Sequence, residues 1–288
     1  MLYDLKTKKS LGQNFLINDG IIAKIIASAE LTPEDTVLEV GPGTGNLTRA
    51  LIATDARVIA VEKDRRIIED LNAEFSAAQI EIIEGEILEF KHNSYNLEPN
   101  SYKIVANLPY YITSHFIRTV FEEWPQPSLL VLMVQKEVAK RIMAKPPDMN
   151  PVRGKTSSRM SADHARRAGR TSNGMNLLAL SVQYYAQPEI ITYVSRGSFR
   201  PSPTVDSAVI RLMPRTEYPL TAEKETLFFS IIKSAFGGKR KQLINTLPTV
   251  IGKNKQGTAE LLTQIGLSPQ TRPETVDLTH WLILVNSL

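Results

Sequence analysis

Asn107-Leu108-Pro109-Tyr110 is the most chemically specific run in the chain. An exocyclic adenine amine is a poor nucleophile because its lone pair is delocalised into the ring. A side-chain amide oxygen from Asn107 and the backbone carbonyl of Leu108 can each accept one N6 hydrogen, which favours a pyramidal nitrogen with its lone pair released toward an electrophile. Pro109 fixes the chain so that both acceptors converge, and Tyr110 supplies a stacking face for an extruded base. A proline turn with an incidental aromatic is common in proteins. Its place directly after a predicted strand gives this one weight.

A second group concerns a nucleoside-containing cofactor. Gly41, Gly43 and Gly45 in Gly41-Pro42-Gly43-Thr44-Gly45 follow G-x-G-x-G, but Asn46 stands where the dinucleotide fingerprint needs its third glycine. A close backbone approach is available while the pyrophosphate pattern is incomplete, which argues against a nicotinamide dehydrogenase. Glu62 lies 21 residues after Gly41 at the end of the next predicted strand, where a carboxylate can accept both ribose hydroxyl hydrogens. Glu86 is able to accept from an adenine amino group.

These residues need a scaffold, and the hydrophobic pattern predicts one. Strands are expected at Val37–Val40, Arg57–Val61, Ile80–Glu84, Lys103–Ala106 and Leu129–Val134, with helices beginning at Asp19 (as cap), Asn46, Asp64 and Lys136. Val- and Ile-rich strands alternating with helices predict a largely parallel sheet covered on both faces, which binds ligands at the carboxyl ends of its strands. The glycines, Glu62, Glu86 and Asn107 all follow a strand directly. From about Thr221 only helical periods occur, at Leu227–Phe236, Lys239–Leu247, Thr258–Ile265 and Val276–Val285, so a small helical domain at 216–288 is expected behind a domain at 1–215.

The segment 151–176 fits neither. It holds six basic residues against Asp163 and no Leu, Ile, Phe, Tyr or Trp, and it reads as a disordered basic insertion. Outside it the chain carries 28 Lys+Arg and 29 Asp+Glu, so the net charge of +4 is a local property. No cysteine is present and the four histidines are scattered at 92, 115, 164 and 280, so thiolate chemistry is excluded and no metal site is expected. Met1 to Lys6 show no long apolar run behind a basic start, and no window reaches the ~18 uncharged apolar residues of a membrane span. A cytoplasmic protein, independent of membranes, is expected.

Five ordered motifs carry a resemblance: Ser10-Leu11-Gly12-Gln13-Asn14-Phe15-Leu16, Leu38-Glu39-Val40 running into the glycine turn, Asn107 to Tyr110, Gln135-Lys136-Glu137-Val138-Ala139, and Ser198-Phe199-Arg200-Pro201-Ser202-Pro203-Thr204-Val205-Asp206-Ser207. Over nearly all the chain apart from 151–176, it resembles the ribosomal RNA adenine N6,N6-dimethyltransferases of the KsgA-like, small-subunit type. The resemblance implies an α/β, Rossmann-like domain dependent on S-adenosyl-L-methionine, followed by a small C-terminal helical domain. It implies that Asn14 and Leu16 close over the cofactor, Gly41 lies beneath its methionine part, Glu62 holds the ribose, and residue 86 meets the adenine. Asn107 would lie between cofactor and target base, and Phe199 would stack on that base opposite Tyr110. The family usually has Asp where this chain has Glu86.

The resemblance further implies transfer of methyl groups to two adjacent adenosines near the 3′ end of small-subunit (16S) ribosomal RNA, within a pre-ribosomal particle, by a monomer. Charge points the same way: no acidic residue lies between Glu225 and Glu260, whereas Lys233, Lys239, Arg240 and Lys241 do, followed by Lys253 and Lys255. Such residues supply phosphate contacts. Two alternatives stand beside this reading: a large-subunit adenine methyltransferase of the macrolide-resistance type, and a ribosome-assembly or transcription-factor relative that binds RNA without turnover. Leu108 with the Phe199–Ser207 pattern weighs against the first, and intact Asn107, Tyr110 and Phe199 weigh against the second.

Overall fold

Five short apolar runs build the centre of the first unit. The computed structural model describes residues 13–147, 174–238 and 241–288. In it, β2 (Thr36–Val40), β3 (Arg57–Glu62), β4 (Ile80–Glu84), β5 (Tyr102–Asn107) and β6 (Leu129–Gln135) run parallel in the order β4-β3-β2-β5-β6. The chain moves outward from β2 through β3 to β4, then returns to pair β5 on the other side of β2. That reversal opens a crevice beyond Val40 and Ala106, which lie opposite each other in the register. β2 and β6 are buried almost throughout, because both faces of the sheet are covered.

The sheet is largely parallel, as expected, and two further strands extend it. β7 (Ala186–Val194) and β9 (Ser207–Pro214) extend it antiparallel in the order β6-β9-β7. β7 is the edge: it carries Pro188, and its register shifts between Ile190 and Thr192. Proline and a bulge are tolerated at an edge but interrupt the two-residue period by which a strand is recognised. A separate two-residue pair joins β1 (Phe15–Leu16) to β8 (Phe199–Arg200), with Leu16 opposite Phe199.

Helices follow where expected, with corrected ends. α1 (Asp19–Ala29) is capped by Asn18, whose side chain accepts from the Ile21 amide, so Asp19 is its first residue and not its cap. α2 (Asn46–Ile52), α3 (Arg65–Glu74, capped by Asp64), α4 (Thr113–Glu123) and α5 (Lys136–Ile142) complete the series before the residues that are not described.

The described residues 13–143 with 181–217 form one compact unit, and 144–147, 174–180 and 218–288 a second. One change of unit falls at Glu217/Tyr218, and 174–180 group with the second unit. α6 (Leu177–Tyr185) begins there, and its start is built from the last residues of the segment read as disordered. Met175 is buried, its amide donates to the Glu274 carbonyl, and Asn176 accepts from the Ala179 amide. The rest of the expected insertion lies outside the described residues. In the second unit α7 (Ala222–Gly237), α8 (Leu243–Thr246), α9 (Lys255–Gln264) and α10 (Leu278–Asn286) surround Phe228, Ile232, Leu262 and Trp281. α7 starts five residues before its apolar period, and α8 is only a single turn. Among the described residues no helix is long and apolar enough to cross a membrane.

Candidate active site

The glycine turn forms the floor of a cleft at the carboxyl ends of β2, β3, β4 and β5. Gly41 and Gly43 have φ of +70° and +55°, a region that L side chains rarely adopt. At Gly43 space is also decisive, since a Cβ would meet the Phe15 ring at 2.8 Å. The glycine therefore lets the segment 13–16 lie across the turn. Asn46, which stands where the dinucleotide fingerprint has a glycine, fastens that segment: its Nδ2 donates to the Leu16 carbonyl at 2.7 Å. Gln13 Nε2 donates to Asp64 Oδ2 at 3.1 Å and ties the same segment to the start of α3.

Glu62 ends β3 with its carboxylate held in place. Oε1 accepts the amides of Lys63 and Asp64, each at 2.8 Å, while Oε2 receives only a long 3.4 Å contact from the Gly43 amide among the described residues. One oxygen is thus fixed by backbone and the other can take more donors. Burial raises the Glu62 carboxyl above its ordinary value, against the pull of the three amides. Glu86 follows β4, lines the same cleft and pairs with the Lys63 ammonium.

Beneath the turn lies Glu39, 1% exposed, which accepts from Thr48 Oγ1 at 2.7 Å. Burial pushes its carboxyl up to about 8, the Thr48 bond opposing and Glu62 adding to the rise. Since the ordinary value is 4.5, the folded protein keeps a proton between about 4.5 and 8 that the unfolded chain gives up. The associated stability is full below the ordinary value and is lost as pH rises through 8. Glu39→Gln stays neutral and can still accept from Thr48. Denaturant titrations between pH 5 and 8.5 should show wild-type stability falling by up to about 1.4 kcal/mol per pH unit relative to the variant. Parallel curves would show that Glu39 is ionised in the folded state.

At the mouth, the Asn107 amide has one orientation. Nδ2 donates to the Asn14 carbonyl at 3.1 Å, which leaves Oδ1 without a protein partner among the described residues. The Leu108 carbonyl likewise accepts no hydrogen bond there, because the amide of Ile112 turns back to Pro109. Among the described residues, therefore, neither acceptor has a protein partner, and Tyr110 beside them lines the cleft. Tyr111 lines it too and is 63% exposed, an aromatic that the motif-based reading passed over.

Residues 4–158 and 159–287 match the family Ribosomal RNA adenine dimethylase. The chain belongs to that family. Ribosomal RNA small subunit methyltransferase A of Dehalococcoides mccartyi is 38% identical over 98% of this dimethylase and 88% of its own length. The protein of the same name in Pelotomaculum thermopropionicum is 36% identical over 99% and 92%. Two crystal structures share the fold: a dimethyladenosine transferase from Plasmodium falciparum (TM-score 0.72, 26% identity, 95% and 96% covered) and the 23S rRNA methyltransferase ErmE (TM-score 0.71, 26%, 96% and 99%).

The methyl donor of this dimethylase is S-adenosylmethionine, and the cleft suits it. A Cβ at Gly41 would project into open space, and Glu62 keeps an oxygen available. Of the expected cofactor residues, Asn14, Gly41, Glu62, Glu86 and Asn107 all line the cleft. Leu16 does not: its side chain is buried, and it borders a smaller recess under the turn with Glu39. Phe199 does not either. It is 4% exposed and packed in the core with Leu16, so the dimethylase does not offer its ring for stacking opposite Tyr110 in this conformation. Lys233 and Lys241 are exposed in the helical unit, and Lys239 and Arg240 lie outside the described residues. Glu86→Asp should change cofactor affinity by no more than about 1 kcal/mol in calorimetry, since one hydrogen bond is only repositioned. A larger loss would show a pocket fitted to the longer side chain.

Proposed function

We propose that this chain dimethylates N6 of two adjacent adenosines in small-subunit ribosomal RNA, acting as a monomer on a pre-ribosomal particle in the cytoplasm. The observation that carries the reading is the Asn107 amide, oriented by the Asn14 carbonyl so that Oδ1 and the Leu108 carbonyl remain as a pair of acceptors at the cleft mouth. S-adenosylmethionine, when bound, supplies an electrophilic methyl group on a sulfonium. Glu62 and Glu86 hold its nucleoside end, and Gly41 admits the rest. Asn107 Oδ1 and Leu108 O each accept a hydrogen bond from one N6–H of the target adenine and so direct the nitrogen lone pair into the cleft. Pro109 keeps the two acceptors together, and the Tyr110 ring holds the base by stacking. Once N6 carries one methyl group, a single N–H remains, and one acceptor suffices to hold it for the second transfer.

The large-subunit alternative has the same fold: the two crystal structures resemble this chain to the same degree. Support for the small subunit comes from the relatives at 35–38% identity that bear the small-subunit name. Exposed Lys233 and Lys241, with Lys253 and Lys255, supply phosphate contacts from the helical unit. The test is competition between particles. With labelled S-adenosylmethionine, small-subunit particles lacking the modification should accept four methyl groups each and large subunits none. Labelling of the large subunit instead would replace this reading with the alternative.

A further inference from the structure

Tyr110 Oη lies 2.7 Å from Ser207 Oγ. Ser207 is fully buried at the start of β9, opposite Gln135 of β6 and Val194 of β7. Its backbone is therefore held by strands on both sides, and its hydroxyl is a rigid point. Tyr110 belongs to a loop, is only half-buried, and lines the cleft. Its neighbour Tyr111 is well exposed, and no hydrogen bond of its hydroxyl is found among the described residues. Two adjacent aromatics thus reach the same mouth, and one of them is tethered.

A stacking ring must be fixed in plane as well as present. A mobile ring spends part of its time out of register with the base, and reacting atoms displaced by even 1 Å lower the rate steeply. We propose that Ser207 is a positioning residue for methyl transfer: it holds the Tyr110 phenol so that the ring plane is set for the target adenine, and the Tyr110 hydroxyl serves the protein and not the RNA. The inference rests on the stacking role given to Tyr110 above. Burial raises the Tyr110 phenol above its ordinary value although the Ser207 contact opposes this, so the hydroxyl keeps its proton. The sequence interval explains why no local motif shows the link: the two residues are 97 positions apart.

The test is a double-mutant cycle on the full-length enzyme with its small-subunit substrate. Tyr110→Phe and Ser207→Ala should each lower kcat about three- to tenfold, the rate equivalent of one neutral hydrogen bond, with KM for RNA and cofactor-binding stoichiometry unchanged. The double variant should be no slower than either single one, because both remove the same contact. With 2-aminopurine at the target position, each variant should show weaker stacking quench than wild type. A merely structural role for Ser207 would change the stoichiometry and leave the quench per active enzyme intact. Additive losses, or wild-type kcat and quench in Tyr110→Phe, would overturn the tether. Should Ser207→Ala fail to fold, Tyr110→Phe decides alone through the same two readouts. Tyr110→Ala separates the layers: a large loss there beside harmless Tyr110→Phe refutes the tether only, and no loss refutes the stacking role together with it.

Discussion

Asn107→Ala is expected to lower kcat by about 10²-fold or more while S-adenosylmethionine affinity changes little, since removing one aimed hydrogen-bonding group from an active site costs roughly 3–4 kcal/mol of transition-state stabilisation. Oδ1 is the atom of that side chain left for the role proposed here, because Nδ2 is spent on the Asn14 carbonyl. Alanine also releases the segment 13–16 at one of its fastenings, but Asn46 to Leu16 and Gln13 to Asp64 remain. The segment should therefore keep its place, and the defect should fall on the chemical step. Single-turnover rates with saturating cofactor measure that step directly. A wild-type rate would remove Asn107 from the mechanism.

Glu62 should behave in the opposite way. The ribose contacts proposed for it would be equal in ground and transition states, so its loss should weaken binding and spare kcat at saturation. Calorimetry on Glu62→Ala should show S-adenosylmethionine bound about 1.5–3 kcal/mol more weakly, the range for a hydrogen bond to a charged group. Alanine also strands the Lys63 and Asp64 amides, which Oε1 now accepts. Glu62→Gln is the cleaner variant: its carbonyl can keep those amides while its NH2 turns to the ribose side. It should fold as wild type and still lose cofactor affinity. Unchanged affinity in Glu62→Gln would move the ribose contact to another residue.

What the sequence made legible was local. The strand, glycine turn and helix around Gly41–Gly45, the carboxylate at the end of the next strand and the Asn107–Tyr110 turn are each written within a few residues, and the parallel strands announce themselves as buried Val and Ile runs. The positioning contacts were not legible because each joins residues far apart in the chain: Asn46 with Leu16, Gln13 with Asp64, Asn107 with Asn14, Tyr110 with Ser207. Asn46 illustrates the difficulty. By motif it is a defect in a glycine pattern, whereas in space it is a clasp. Phe199 illustrates the converse: the motif names the residue, but only its pairing with Leu16 reveals that the ring is in the core. β7 escaped notice for a chemical reason, since Pro188 and the shift after Ile190 erase its alternation.

The central claim is that the paired acceptors at Asn107 and Leu108 serve dimethylation of small-subunit RNA. Mass spectrometry of ribosomal RNA from cells deleted for the gene, and from the same cells carrying the wild-type or Asn107→Ala copy, tests it most directly. Two adjacent N6,N6-dimethyladenosines in the small-subunit RNA should vanish on deletion, return with the wild-type gene and not return with Asn107→Ala. Dimethyladenosine restored in full by the alanine copy, or a modification lost only from the large subunit, would contradict it.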